Sequence, residues 1–329
     1  MTITSIEPPR GATGRGRSSV LDFALRYAMV VVLIAVVIGA QVAYDKFLTW
    51  DNIRNLLSQN APLAIVAVGM TIVILSGAFD LSVGSVLAAG STVYAMYAKE
   101  GHSLWLAALI AILVGCVCGV LNGVVVTKLK VTPFITTLAS AAIVTGLTYV
   151  WSDSRPITVR VPGFGDLARK TFLDVSWSVW LTVGIFVVGG VLVGRTVFGR
   201  YIYAVGGNLE AARLAGIPTD RIRLAAFVAV SVSAAIGGIV LASRLGVGSA
   251  DQGANVTLDS IAIVVIGGTS LFGGEGAVWR TAVGLLILAT LNNLLSSLAL
   301  ESAVQNVVKG SVLLLAVILD SYTRRRRAL

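Results

Sequence analysis

The residue in this chain most suited to a special chemical role is an acid in an apolar setting. In ILSGAFDLSVGS (residues 74–85), Asp80 interrupts a run that is otherwise apolar from residue 61 to 98. That run is too long for one membrane span and only just long enough for two, so a break near Gly77 is expected. A carboxylate facing lipid there would cost about 2.5–3.5 kcal/mol. At a helix N-terminus the same group is stabilised by free N–H donors and the positive end of the dipole. Asp80 is therefore expected to cap the helix that restarts at LSVGS, with Ser82 and Val83 offering the donors, at a turn or a cavity wall.

Other chemistry is poorly supplied. The single histidine, His102, sits in a short polar loop, with neither a nucleophile–base pair nor an H-E-x-x-H pattern around it. No catalytic or metal-ligating residues are assigned. Cys116 and Cys118 lie two apart on one apolar segment, where helical geometry points them apart, so they read as packing residues. No G-x-x-x-x-G-K-[ST] occurs, because none of the six lysines follows a glycine. A chain that relied on ATP would need another subunit to bind it.

The elements that position these residues follow from composition. Hydrophobic residues make up 56% of 329 positions, charged residues 12%, and mean hydropathy is +0.89. Soluble domains are about one-quarter charged, and a bilayer core about 30 Å thick takes about 20 apolar helical residues. The chain offers such segments repeatedly and reads as an all-α polytopic membrane protein. About ten spans are expected, over 27–45, 61–79, 82–98, 104–127, 132–151, 175–194, 223–243, 258–272, 278–299 and 303–320. The first is kept as a retained helix rather than a signal peptide, since no clear small-residue cleavage site follows it.

With the N-terminus in the cytoplasm, sixteen of the 25 Lys and Arg residues fall on the inner side. Eight fall outside, and Lys309 lies within the last span. That bias places both termini in the cytoplasm. The net charge of +9 is spread over loop ends and forms no basic groove, so no nucleic-acid partner is expected. Residues 1–20 read as a disordered cytoplasmic lead, 21–323 as the transmembrane domain and 324–329 as a basic cytoplasmic tail.

Small residues are arranged for close packing. Gly115, Gly119 and Gly123 share one face of the fourth span, and Ser231, Ser233, Ala234, Gly237 and Gly238 serve the seventh. VVIGGTSLFGGEGA (264–277) repeats the plan of branched residues, glycine break and acid seen around Asp80, and transporters often carry broken helices at matching places. In the longest inner loop, NLEAARLAGIPTD (208–220) has the marks of a compact helix. Asn208 is a fitting N-cap, Glu210 lies in the first turn, and Gly216 and Pro218 form the stop.

The segment GAFDLSVGS (77–85) closely resembles the GGIDLSVGS-type signature of ABC-transporter permeases for simple sugars, the ribose/xylose/arabinose group. Ala78 and Phe79 stand where Gly and Ile are commoner. VTPFITTLA (131–139), GRYIYAVGGNLEAARLAGI (199–217) and LDSIAIVVIGGTSLFGGEGAVWRT (258–281) extend the likeness, in family order, to nearly the whole chain. The resemblance implies a fold like that of type II ABC importer permeases and a place in a bacterial inner (plasma) membrane. It implies a second permease copy, identical or a close paralogue, and a periplasmic or lipid-anchored sugar-binding protein. It also implies a cytoplasmic ATPase that uses ATP and Mg, with no cofactor bound by this chain. The 208–216 helix, with Asn208, Glu210, Ala211, Ala212, Arg213 and Gly216, then resembles the coupling helix that docks on the ATPase. For the translocation path or its gate, Gly77, Asp80, Ser82, Asn122, Asn292 and Asn293 are the candidates, because neutral hydrogen-bonding groups suit sugar hydroxyls.

Three rivals are weaker. A proton-coupled secondary transporter normally shows intramembrane acids or histidines able to relay protons, whereas Asp80 and Glu275 read as turn residues. A membrane-embedded hydrolase lacks its motif. A branched-chain amino-acid permease would share the architecture, but no intramembrane charge pair is evident to satisfy an amino acid's two charges.

Overall fold

The computed structural model describes residues 15–327, with thirteen α-helices among them. These are α1 (Arg15–Ala43), α2 (Trp50–Leu75), α3 (Val83–Lys99), α4 (Leu104–Thr127), α5 (Pro133–Trp151), α6 (Asp166–Arg169) and α7 (Trp177–Arg195). They continue as α8 (Val197–Gly207), α9 (Leu209–Leu214), α10 (Thr219–Leu245), α11 (Val256–Ile266), α12 (Val278–Ser297) and α13 (Ser302–Arg327). Six of them, α2, α4, α5, α7, α10 and α12, are long and apolar enough to cross a membrane, which makes this a multi-pass membrane protein.

Two expected spans look different in the structure. The segment read as a span over 258–272 is α11, only 11 residues long, so it rises about 16 Å and stops well short of a bilayer. It ends at Gly267 and Gly268, the latter at φ +79°, and Arg280 backbone crowds Gly267 too closely for a side chain. The second helix begins eleven residues before the expected residue 61, at Trp50, because its first turns are polar and gave no hydropathy signal. Helix α1 starts at Arg15, within the expected lead, and residues 1–14 lie outside the described residues.

Helix α10 is the central post. It packs on α2, α3 and α4, with Phe227, Val230 and Ala234 fully buried. The expected small-residue faces are what allow this. A Cβ at Gly115 or Gly119 would come within 2.7 Å of α10 atoms, and one at Gly238 within 2.1 Å of the Leu87 carbonyl on α3. In lipid, where burial gives helices no hydrophobic drive toward one another, such contact supplies the packing energy. Both cysteines are free thiols, Cys118 buried among these helices.

At the end of the bundle opposite α9, the long loop closes with two-residue antiparallel pairs. Ile157–Thr158 pairs with Val247–Gly248, and Thr171–Phe172 with Val175–Ser176. Hydrogen bonds from Ser91 to Gln252 and from Tyr149 to Asp251 pin the 3₁₀ turn Ala250–Gly253 to α3 and α5.

Candidate functional site

The break between α2 and α3 is where the sequence places it. Helix α2 ends at Leu75, Gly77 turns the chain at φ +75°, and α3 restarts at Val83. Inside a membrane every freed backbone group needs a partner, and threonines from distant helices supply them. Leu81 N–H donates to Thr137 Oγ1 of α5 at 3.0 Å, and Thr257 Oγ1 of α11 donates to the Leu81 carbonyl at 3.3 Å.

Asp80 is fully buried beside this break, 0% exposed. Its Oδ1 accepts from Ser82 N–H at 2.8 Å and from Ser82 Oγ at 2.5 Å. The N-cap position of α3 is Ser82, so the expected cap needs correcting: Asp80 braces the turn before the helix rather than its first N–H groups. The reason is that residues 81–82 form a turn of their own ahead of Val83. Asn122 of α4 then donates from Nδ2 to Ser82 Oγ at 2.9 Å. Ser231 of α10 completes the cluster beside the Asp80 carboxyl, and neither its Oγ nor Asp80 Oδ2 makes a well-formed hydrogen bond. Three of the six candidate path residues thus form one polar knot, and Ser231 is a member that the sequence analysis assigned only to packing.

Gly77 lies at a second junction. A Cβ on Gly206, at the end of α8, would sit 1.9 Å from the Leu75 carbonyl and 2.6 Å from Gly274 N. A Cβ on Gly273 would sit 2.7 Å from Gly77 Cα, and Gly274 N–H donates to the Leu75 carbonyl at 3.1 Å. The two glycine-rich breaks that looked alike in sequence therefore touch each other, with the end of α8 wedged between them. Tyr203 of α8 adds a bond from its hydroxyl to the Gly276 carbonyl at 2.8 Å.

One residue beyond α8 begins α9. Asn208 caps it as expected, its Oδ1 accepting from Ala211 N–H at 2.9 Å, and Gly216 ends it at φ +80°. Ala212 is buried, and Leu209 and Ile217 pack on the core, which fixes the helix to the bundle. Glu210 and Arg213 pair at 3.1 Å on its exposed side, and Leu214 is 88% exposed. Leu214 is thus an exposed apolar side chain on a short helix whose Leu209 and Ala212 are anchored.

The remaining two candidates lie elsewhere. Asn293 of α12 exchanges amide hydrogen bonds with Asn52 of α2 at 3.0 and 3.1 Å, and Asn292 Oδ1 is buried without a partner. Both line a cavity with Gln59 and Asn60, about 24 Å along α2 from Leu75, so they form no part of the Asp80 knot. The structure also supplies a charge pair not evident in the sequence: Asp259 of α11 and Lys309 of α13 meet at 3.8 Å, both largely buried. Fifty positions of separation hid it, and the two charges neutralise each other. Among the described residues no group of three His, Cys, Asp or Glu side chains could hold a metal ion.

These features define a class: a multi-pass helical transport component with a polar, glycine-jointed break inside the bundle and a presented helix at one end. Residues 52–317 match the family model described as branched-chain amino acid transport system / permease component, and the chain belongs to that family. It is 38% identical over 300 residues to the ribose import permease protein of Haemophilus influenzae, covering 90% of this chain and 92% of that one. It is 42% identical over 290 residues to the ribose import permease protein of Bacillus subtilis, covering 88% and 90%. It is 37% identical over 302 residues to the L-arabinose transport system permease protein of Escherichia coli, covering 92% of each. No solved structure matches. The resemblance drawn from GAFDLSVGS and its companions is borne out, and the relatives are named for sugars rather than for branched-chain amino acids.

Proposed function

We propose that this chain is the membrane-spanning permease subunit of an ATP-driven bacterial importer for a simple sugar, a pentose or a molecule of similar size. The observation that carries the reading is the likeness over about nine-tenths of the chain to permeases named for ribose and arabinose import. The polar knot of Asp80, Ser82 and Asn122 beside a broken helix supports it, since it places hydrogen-bonding groups within the bundle.

On this reading the chain lies in the inner membrane with both termini in the cytoplasm and about ten segments embedded in it, α3 and the short α11 lining the interior beside the six long helices. Two permease copies form the pathway, and a binding protein outside the membrane delivers the sugar. An ATPase in the cytoplasm binds ATP and Mg, and α9 is the lever it moves. Asn208 sets the start of that lever, Gly216 its end, and Glu210, Arg213 and Leu214 face the partner, while Ala211 and Ala212 keep it compact. Taking a two-state gate from 1:99 to 99:1 needs about 5.5 kcal/mol of differential binding, which closure of the ATPase pair around nucleotide supplies.

Reconstitution tests the reading. In proteoliposomes the chain alone is expected to hydrolyse no ATP and accumulate no sugar. With its ATPase and binding protein it is expected to accumulate ribose or L-arabinose only when ATP is present. Uptake driven by a proton gradient without ATP would instead establish secondary transport.

A further inference from the structure

A cavity of about 380 Å³ opens between α2, α10 and α12, within the range of about 300–1,000 Å³ usual for small-molecule sites. It lies toward the end of the bundle opposite α9, and seven of its eight lining residues are polar: Gln59, Asn60, Arg244, Asn292, Asn293, Ser296 and Ser297. These positions lie in or near the terminal turns of their helices, where polar side chains are ordinary, but here they converge on one cavity and few of them are spent on each other. Asn293 is committed to Asn52, and Asn60 Nδ2 to the Leu56 carbonyl at 2.8 Å. Asn292 Oδ1 is buried without a partner. Arg244 gives one N–H to the Gln59 carbonyl at 3.1 Å, and no carboxylate pairs with it among the described residues.

The chamber thus presents unspent donors on Arg244, Ser296 and Ser297 and an unspent acceptor on Asn60, with Asn292 in its wall and Leu56 as the single apolar residue. A ring hydroxyl both donates and accepts, so a polyol satisfies a mixed lining of this kind. A guanidinium fork engages two adjacent oxygens at once. A branched-chain amino acid fits poorly, since the chamber offers no acid for its ammonium group and only a minor apolar surface for its side chain. The neighbouring groove between α2, α7 and α12, of about 400 Å³ and lined by Leu57, Val183, Phe186 and Leu286, has the opposite chemistry and holds no comparable polar set.

We propose that this chamber is a receiving site for an uncharged, polyhydroxylated solute of monosaccharide size, occupied before the solute reaches the Asp80 knot, with Arg244 and Asn292 as its principal contacts. The proposal rests on the sugar-permease reading and adds to it a place and a set of residues.

Ser296 is exposed to the chamber, so a larger side chain there fills space without invading the core. In the assembled importer, Ser296→Phe and Asn292→Leu are each expected to lower ATP-driven uptake of radiolabelled ribose or L-arabinose at least tenfold. ATP hydrolysis stimulated by the binding protein stays within about twofold in both variants. In a second measurement, Ser296→Cys in a Cys116→Ala, Cys118→Ala chain reacts with a maleimide, and the transported sugar is expected to slow that reaction at least threefold. Normal uptake by Ser296→Phe, or labelling that sugar leaves unchanged, overturns the proposal while the importer reading stands. If the unaltered complex moves neither sugar under ATP, the importer reading itself is what fails.

Discussion

Gly206→Ala is expected to abolish transport, whereas Gly207→Ala, one residue away, is expected to leave it intact. The pair is a matched comparison, since the substitution, the helix and its end are the same. At Gly206 the added methyl would lie 1.9 Å from the Leu75 carbonyl oxygen and 2.6 Å from Gly274 N, whereas at Gly207 it meets nothing within 4 Å. The atoms at Gly206 are backbone on two other segments, and they cannot swing away as the end of a long side chain could. Overpacking of this severity costs about 3 kcal/mol, at the upper end of what extra methylenes usually cost in a core. The cost falls on the junction that holds the α2 terminus, the 273–274 turn and the last turn before α9 together. A chain that tolerates the methyl must open that junction, and movement of α9 is then no longer transmitted to Gly77 and Asp80. The expected result is at least a tenfold loss of uptake, with ATP hydrolysis retained in whatever fraction folds. Uptake and thermal unfolding of the purified complex, measured on both variants, check it.

The second large effect is expected at Gly216. Its φ of +80° is outside the reach of proline, whose ring holds φ near −65°, and its N–H donates to the Arg213 carbonyl at 3.0 Å. Gly216→Pro loses that bond and redirects the chain into Ile217, one of the residues anchoring α9. No neighbouring atom lies within 4 Å of a side chain placed there, so the damage stays local and the bundle still assembles. The expected outcome is insertion at normal levels, ATPase activity that no longer responds to the binding protein, and uptake reduced by about a hundredfold. Gly216→Ala keeps the N–H and carries only the strain of a left-handed residue, about 1–2 kcal/mol, so it should retain much of the uptake. Equal loss in both variants would show that the position matters for folding rather than for coupling.

Local chemistry was the legible part of this protein. Gly77 as a break and Asn208 as a cap depend on neighbours within a few residues, and each was readable from side-chain type and spacing. The same holds for the glycine face at 115, 119 and 123, which announces close helix contact by its period alone. Contacts between distant segments were not readable. Ser231 meeting Asp80, Gly206 wedging between residues 75 and 274, and Asp259 meeting Lys309 all depend on how helices far apart in sequence are stacked. Hydropathy misled at residues 258–272, where apolar residues continue past Gly267 and Gly268 although the helix does not. Arg244 stands at a helix end, where sequence cannot distinguish a cavity from solvent.

The account depends on α9 facing the cytoplasm and being held there by a separate ATPase. Leu214→Cys, in a chain whose Cys116 and Cys118 are replaced by alanine, tests this with a maleimide that cannot cross membranes. Labelling is expected in inside-out vesicles and not in intact spheroplasts, and addition of the purified ATPase should slow it at least tenfold. Rapid labelling from the outside of intact cells would place α9 on the wrong side of the membrane and contradict the account.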